Sequence, residues 1–296
     1  MEILFLGTSS MVPTKERNQS SVFISYKDQG ILIDCGEGTQ RQFKLAGKSI
    51  TKITKILISH WHGDHVLGLP GLLQSLAALG YSEKLMIYGP KGTKKRFDAM
   101  FEAFVFDKPL NFEIKEIGKG AFFENSDMEL IVYQLDHGIE SLGFRFEEKD
   151  KLRIDTKKAK KFGIPDGPLL GKIQENKSIT YKGKKIKPED IAYIVKGRTI
   201  GIISDSVPCK SCNQIAEDVD LLICEATYTS KLSDKAEEHK HMTAKDAGLI
   251  ASQTNAKRLV LNHLSARYTS GQEIEEDARL VFDNSEVARD LMKIKL

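Results

Sequence analysis

Short apolar runs alternate with loops marked by glycine and proline through the first half of the chain. The runs at 3–6, 22–26, 31–33 and 56–59 read as strands, with Gly7, Gly30 and Gly36 between them. Residues 39–46 and 70–79 carry a helical pattern; Pro70 stands in the favoured first turn and Gly80 ends the second helix. A strand at 85–88 stops at Gly89-Pro90, a helix follows over 96–106, and strands follow at 112–117, 128–135 and 142–146. Beyond a charged stretch, 199–203, 221–224 and 259–261 are apolar runs of the buried-strand type, and 243–254 and 274–282 read as helices. Strands come first, then strands mixed with helices, and this order occurs twice. The pattern predicts an α/β fold of two sheets packed face to face with helices outside.

Composition narrows the class. With 296 residues, 41% hydrophobic and 29% charged, the chain can bury a sizeable core. No apolar stretch approaches a membrane span. The first residues read as a strand, lacking the basic start and long apolar block of a signal peptide. The cysteines Cys35, Cys209, Cys212 and Cys224 make no secreted disulfide framework, so a cytoplasmic location is expected. Cys209 and Cys212 form a lone CxxC, and a zinc site there would need two more ligands that no second pair supplies.

The chemistry concentrates in His60-Trp61-His62-Gly63-Asp64-His65, directly after an apolar run. Alternating His60 and His62 can reach one ion, while Asp64 and His65 suit a second. Imidazole and carboxylate are donors that Zn²⁺ and similar divalent ions prefer. Further candidates stand at the ends of predicted strands: His137, Asp205, Glu225 and His263. Rigid scaffolds present chemistry to a cleft from such places.

Net charge is +3, but residues 151–187 hold twelve Lys/Arg against three Asp/Glu, so they carry +9 and the remainder −6. Gly163, Pro165, Gly167, Pro168, Gly171 and Gly183 break the same segment, which reads as an extended arm inserted into the main fold. The chain thus divides into 1–150, an arm at 151–190, and 191–296. Most basic runs are solvated loops. A basic arm attached to a hydrolytic metal site instead fits nucleic acid, whose affinity comes mainly from phosphate neutralisation.

Taken together, these motifs resemble the metallo-β-lactamase superfamily, and within it the ribonuclease Z family of tRNA 3′-processing endonucleases. The likeness runs almost end to end. Leu6-Gly7-Thr8 opens the fold, and Pro13-Thr14-Lys15-Glu16-Arg17-Asn18 resembles the family's PxKxRN loop. His60 to His65 is the superfamily signature. His137 with Ser141-Leu142-Gly143-Phe144-Arg145 is similar to HxxxSxGYR. Glu225-Ala226-Thr227 resembles HEAT with Cys224 in the histidine's place, and His241-Met242-Thr243 resembles HST with Met242 for serine. Ser206 stands where the family has threonine. His263-Leu264-Ser265-Ala266-Arg267-Tyr268 matches the histidine-containing tail. Within the arm, Gly167 and Pro168 resemble the GP-containing exosite that clamps the tRNA elbow.

The resemblance implies an αββα sandwich with a protruding basic arm. It implies two divalent metal ions per subunit, Zn²⁺ by preference, and no nucleotide cofactor. His60, His62 and His137 would hold one ion; Asp64, His65 and His263 the other; Asp205 would bridge them. A hydroxide shared by the ions would attack phosphorus, with Asp64 as candidate base and Glu225–His241 delivering a proton to the departing 3′ oxygen. The products would be a tRNA 3′-hydroxyl and a 5′-phosphate on the trailer. Lys15, Arg17, Ser265 and Arg267 are implied phosphate or acceptor-end contacts, and His239 is left without a role. The implied partners are precursor tRNA and a second copy of the chain, with no membrane. Two rivals remain: a hydrolase of small esters or phosphodiesters on the same fold, and a non-catalytic RNA-binding protein.

Overall fold

In β1 (Glu2–Gly7), Ile3 and Phe5 face one way and Leu4 and Leu6 the other, and all four are buried. A strand covered on both faces needs apolar residues without alternation, which is why the run looks continuous. The same holds along β2 (Ser21–Tyr26), β3 (Gln29–Ile33), β4 (Lys55–Leu57) and β5 (Leu85–Gly89). The computed structural model describes residues 1–106 and 110–296. The chain continues with β6 (Phe112–Glu116), β7 (Gly120–Glu124), β8 (Met128–Asp136) and β9 (Glu140–Glu148). An insert holds β10 (Lys151–Ile154), β11 (Ile179–Tyr181), β12 (Lys184–Ile186) and β13 (Ala192–Val195). Then come β14 (Thr199–Ile203), β15 (Leu221–Glu225), β16 (Leu259–Asn262), β17 (Ser285–Val287) and β18 (Lys293–Lys295).

Two seven-stranded mixed sheets result, in the orders β18-β1-β2-β3-β4-β5-β6 and β17-β16-β15-β14-β9-β8-β7. In the first, the pairings from β18 to β3 are antiparallel and those from β3 to β6 parallel. In the second, β17 to β14 are parallel and β14 to β7 antiparallel. The repeated order of elements in the sequence is this pair of similar half-folds.

Between the sheets lies one core, where Ile3, Phe5, Ile24 and Ile33 meet Val132, Phe144, Phe146 and Ile223. Outside the first sheet, Leu4, Leu32 and Ile56 pack on α1 (Thr39–Leu45), α3 (Leu69–Ala78) and α4 (Thr93–Ala103), with a single-turn α2 (Gly63–Val66) before α3. In the insert are α5 (Thr156–Lys161), α6 (Pro168–Gln174) and α7 (Pro188–Ile191). Outside the second sheet, Leu222, Leu259 and Leu261 pack with residues of α8 (Lys210–Ala216), α10 (Ala244–Gln253) and α11 (Gln272–Arg279), α9 (Ser233–Glu238) lying before α10. The layers are helix, sheet, sheet, helix, the expected sandwich.

Several boundaries differ from the sequence reading. The strand expected to reach Ser59 ends at Leu57, because the Asp34 carboxylate takes both the backbone N–H and the hydroxyl of Ser59, at 2.7 Å each. The helix expected over 96–106 begins at Thr93, whose hydroxyl donates to the Pro90 carbonyl at 2.7 Å, and ends at Ala103 where Phe104 turns extended. The insert is not an extended arm. It folds around a small core of Ile164, Ile173, Ile179, Ile186 and Ile191, with β10 paired to β13 and β11 to β12. No helix among the described residues is long and apolar enough to cross a membrane.

Phe144 is 1% exposed in the inter-sheet core, so Phe144→Ala is expected to cost about 3–5 kcal/mol in urea unfolding. Ile173→Ala, buried only within the insert, should instead raise hydrogen exchange across residues 151–195 while leaving exchange in β3 and β15 unchanged.

Candidate metal centre and active-site cleft

Parallel strands point their carboxyl ends the same way, and polar residues just past those ends share one rim. Here the rim carries Asp34 after β3, His60 after β4, Asp205 after β14 and His263 after β16, with Glu225 ending β15. His137 joins from the end of β8, and Asp64 and His65 from α2. Asp34 (φ 57°) and His263 (φ 60°) adopt the left-handed conformation, which is uncommon for non-glycine residues.

Three donor groups form, each with ligand atoms within 4.8 Å of one another: His60, His62, His137 and Asp205; Asp64, His65, Asp205 and His263; and Glu225, His241 and His263, of which the first two share Asp205. His62 Nδ1 lies 3.1 Å from the Nε2 atoms of both His60 and His137. His263 Nε2 lies 3.2 Å from His65 Nε2 and 3.1 Å from Asp64 Oδ2. Asp205 Oδ2 stands between the groups, 3.3 Å from His263 Nε2, 3.4 Å from His65, 3.6 Å from His137 and 3.7 Å from His60.

The outer ring nitrogens are occupied, which turns the inner ones toward the clusters. His65 Nδ1 donates to Asp34 Oδ2 at 2.7 Å, and His137 Nδ1 donates to the Lys240 carbonyl at 2.7 Å. His60 Nδ1 sits 3.0 Å from the Ser59 hydroxyl and His263 Nδ1 3.0 Å from the Thr227 hydroxyl. Such outer partners fix ring orientation and raise donor strength.

A divalent ion fits this set on two counts. Asp64 Oδ1 and Asp205 Oδ1 are buried with no hydrogen-bond partner among the described residues, and buried carboxylate oxygens are otherwise satisfied. The imidazole nitrogens also face one another and the carboxylates at separations that only a shared proton or cation reconciles. Burial disfavours ionisation of Asp205, but the imidazoles of His263, His65 and His60 hold its carboxyl well below the usual range. Asp64 is lowered likewise against its burial, by hydrogen bonds from His263 and His65. Burial, then the neighbouring His65, keeps His60 well below the ordinary histidine value.

Glu225 and His241 stand beside the second cluster. Glu225 Oε1 accepts the Ser206 N–H at 2.7 Å, and Oε2 accepts the Thr227 hydroxyl at 2.8 Å. His241 Nδ1 donates to Glu225 Oε1 at 3.0 Å. These donors use both oxygens of Glu225, which sets it apart from the open carboxylates of Asp64 and Asp205. Burial lowers the His241 pKa, yet the Glu225 carboxylate and its hydrogen bond, then Asp205 and Asp64, push it up to about 9. His241, with the buried Glu225 behind it, opens on a cleft of about 300 Å³ lined also by Ser10, Met11, Tyr228 and His239.

The remaining predicted site residues separate. Lys15 is exposed on the loop that follows Ser10 and Met11. Arg17 is a correction: it is 5% exposed and structural, its Nη1 donating to the Thr8 hydroxyl at 2.9 Å and the Ala288 carbonyl at 2.8 Å. Arg267 is exposed, donates to the Ser265 hydroxyl at 3.1 Å and lies 5.0 Å over the Tyr228 ring at the cleft. Gly167 and Pro168 are exposed at the start of α6 in the insert and do not line the cleft. His239 is exposed and stacks 6.4 Å from Tyr228. Two of the departures from the family motifs touch each other: the Cys224 thiol donates to Met242 Sδ at 3.5 Å, in the core beneath the site. Asp34 and Ser59 were given no role from the sequence, and Thr227 was read only as the last residue of a motif. The strand-end rule that singled out Asp205 applies equally to Asp34, which follows the run at 31–33.

Asp34→Asn keeps the shape but not the charge behind His65, and is expected to weaken divalent-ion affinity about 10–100-fold by competition titration with a chelator. Arg17→Ala is expected to lower unfolding stability by about 1.5–3 kcal/mol, because the Ala288 carbonyl and Thr8 hydroxyl lose a charged donor.

Comparison with known proteins agrees with this geometry. The family model for the anti-Pycsar protein Apyc1 matches residues 1–161. Ribonuclease Z of Methanothermobacter thermautotrophicus is 39% identical over 297 residues, covering 100% of this chain and 97% of that protein. Ribonuclease Z of Methanosarcina acetivorans is 36% identical over 301 residues, covering 100% and 98%. Among solved structures, the short form of human tRNase Z has TM-score 0.72 and 27% identity, covering 100% of this chain and 99% of that one. The metallo-β-lactamase fold protein YhfI of Bacillus subtilis shares the fold at TM-score 0.71 and 18% identity, covering 99% and 98%. The Apyc1 match ends within the insert, whereas the ribonuclease Z matches run through it and onward over both clusters and the Glu225–His241 pair. The chain belongs to the ribonuclease Z family, the tRNA 3′-processing endoribonucleases built on the metallo-β-lactamase fold.

Proposed function

We propose that this chain is a zinc-dependent endoribonuclease that removes the 3′ trailer from precursor tRNA, cutting at or next to the discriminator nucleotide. The observation that carries the reading is the pair of donor clusters sharing Asp205, beside the Glu225–His241 dyad on one cleft. His60, His62, His137 and Asp205 would hold one ion, and Asp64, His65, His263 and Asp205 the other. Sets of four nitrogen and oxygen donors suit Zn²⁺. Two such cations, when bound, supply a water of lowered pKa and offset charge on the phosphoryl oxygens.

The remaining work falls to the chain's own side chains. Asp64 turns Oδ2 to His263 and leaves Oδ1 open, so Oδ1 can orient a water nucleophile and accept its proton. Glu225, fixed by Ser206 and Thr227, holds His241 through Nδ1. Nε2 of His241 is then the atom that delivers a proton to the departing 3′ oxygen. The products are a 3′-hydroxyl on the tRNA and a 5′-phosphate on the trailer.

Lys15, Ser265 and Arg267 are the proposed phosphate contacts at the rim. The insert, with Gly167 and Pro168, is the proposed grip on the tRNA body. It leaves the second sheet between Glu148 and Thr199, the end of β9 and β14 opposite Asp205, so roughly 20 Å of strand separates it from the cleft of its own subunit. That distance favours a homodimer in which one subunit's insert holds the tRNA cut by the other. A cytoplasmic location suits this substrate. A hydrolase of small diesters would use the same clusters, but would leave the basic insert, +9 over residues 151–187, without a task.

The test is to incubate the metal-loaded protein with a 3′-extended precursor tRNA and map the cut. One cut beside the discriminator, lost in Asp64→Ala, supports the reading; hydrolysis of a small phosphodiester without RNA cleavage overturns it. His241→Ala is expected to keep its metal content while kcat falls by about 10²–10⁴-fold. Deleting residues 155–187 is expected to raise KM for precursor tRNA and leave KM for bis(p-nitrophenyl) phosphate unchanged.

A further inference from the structure

Cys209 and Cys212 take no part in the clusters described above. Their sulfurs are 3.5 Å apart, and both cysteines are free thiols. Among the described residues no third His, Cys, Asp or Glu joins them as a metal donor group. What remains is a dithiol already at contact distance, within reach of the roughly 2 Å separation of a disulfide. Cys212 is buried in the core of α8 and the second sheet, while Cys209 is half-buried at the start of that helix. The exposed partner can therefore meet a reagent and the buried one can resolve the product.

The position of the pair gives it consequence. Only Ser206, Val207 and Pro208 separate Cys209 from Asp205. Within that segment the Ser206 N–H donates to Glu225 Oε1 at 2.7 Å, and the Ser206 hydroxyl accepts the Asp136 N–H at 3.1 Å. Val207 N–H donates to the Asp136 carbonyl at 2.9 Å, next to His137. One short strap thus ties the shared carboxylate, the acid dyad and the end of β8. Because Cys212 is fixed in the core, drawing the sulfurs together displaces Cys209 and that strap.

We propose that Cys209 and Cys212 form a reversible disulfide by exchange with a low-molecular-weight disulfide, and that its closure shifts the 205–209 strap and slows cleavage. The Cys209 thiolate attacks one sulfur of the reagent disulfide and expels one thiolate. The Cys212 thiol then gives up its proton and attacks Cys209 Sγ, expelling the second. Two protein thiols become one disulfide and the reagent becomes two thiols, so electrons and protons balance. The Cys209 thiol lies below the ordinary cysteine value, chiefly through the Cys212 hydrogen bond and, against burial, the N–H groups of Cys212 and Ser211, which favours Cys209 as the attacking group.

The effect on rate rests on the proposed function; the disulfide does not. The metal-loaded protein would be equilibrated in buffers of varied oxidised and reduced glutathione, quenched, alkylated and digested with trypsin. Lys210 lies between the two cysteines, so the disulfide leaves two tryptic peptides joined, and reduction separates them. Initial rates would be read on precursor tRNA and on bis(p-nitrophenyl) phosphate. The expected result is a joined peptide pair, a kcat lower by on the order of tenfold or more with metal content retained, recovery on reduction, and no response in Cys209→Ser. Absence of the joined pair across the buffer range overturns the proposal, as does a joined pair with an unchanged rate. Reduced protein that hydrolyses the small diester but not precursor tRNA defeats the tRNA reading and leaves the redox response to be read on the diester.

Discussion

The structure depends on one electrostatic constraint: the buried Asp205 carboxylate shared by two groups of imidazoles. A carboxylate 2% exposed is costly to keep ionised without compensating charge. Four histidine nitrogens within 3.7 Å of one of its oxygens hold it ionised, and its other oxygen has no hydrogen-bond partner among the described residues. A site of this kind is poised for cations. The fold around it is arranged to hold that set rigid: parallel strands from both sheets end at one rim, and the central strands are buried on two faces by the inter-sheet core and an outer helix layer.

Rigidity comes from what stands behind the donors. Asp34 links His65 to Ser59, and Thr227 links His263 to Glu225. The Thr227 hydroxyl therefore couples the donor cluster to the acid dyad through a single side chain. On the other side the backbone N–H of Ser206, the residue after Asp205, donates to Glu225. The proposed water activation and proton delivery, a few ångströms apart, would require such coupling, because small displacements cost rate steeply.

Much of this was legible in the sequence for a physical reason. Strands buried on both faces leave unbroken apolar runs, and polar residues that end such runs have few reasons to be there except the rim. His60, His62, Asp64, His65, His137, Asp205 and His263 were all found that way or by their motif, and the structure brings them together. Arg17 was misread because a motif fixes a loop's path and not which side of it a guanidinium takes; here it takes the core. The insert was misread as extended because its core is built from single isoleucines, at 164, 173, 179, 186 and 191, separated by charged residues that hide any period. Its real content is a small folded unit with a basic surface. Edge strands such as β17 and β18, three residues each, carry too few residues for a pattern.

The central claim is that Asp205 is shared by two cations. The most direct measurement is anomalous X-ray diffraction from zinc-loaded crystals, with the metal content of the same protein counted by mass spectrometry. The account predicts two ions per chain, one against His60, His62 and His137, one against Asp64, His65 and His263, each with Asp205 in its coordination sphere. A single ion, or one seated on Glu225 and His241 with Asp205 uncoordinated, would contradict it.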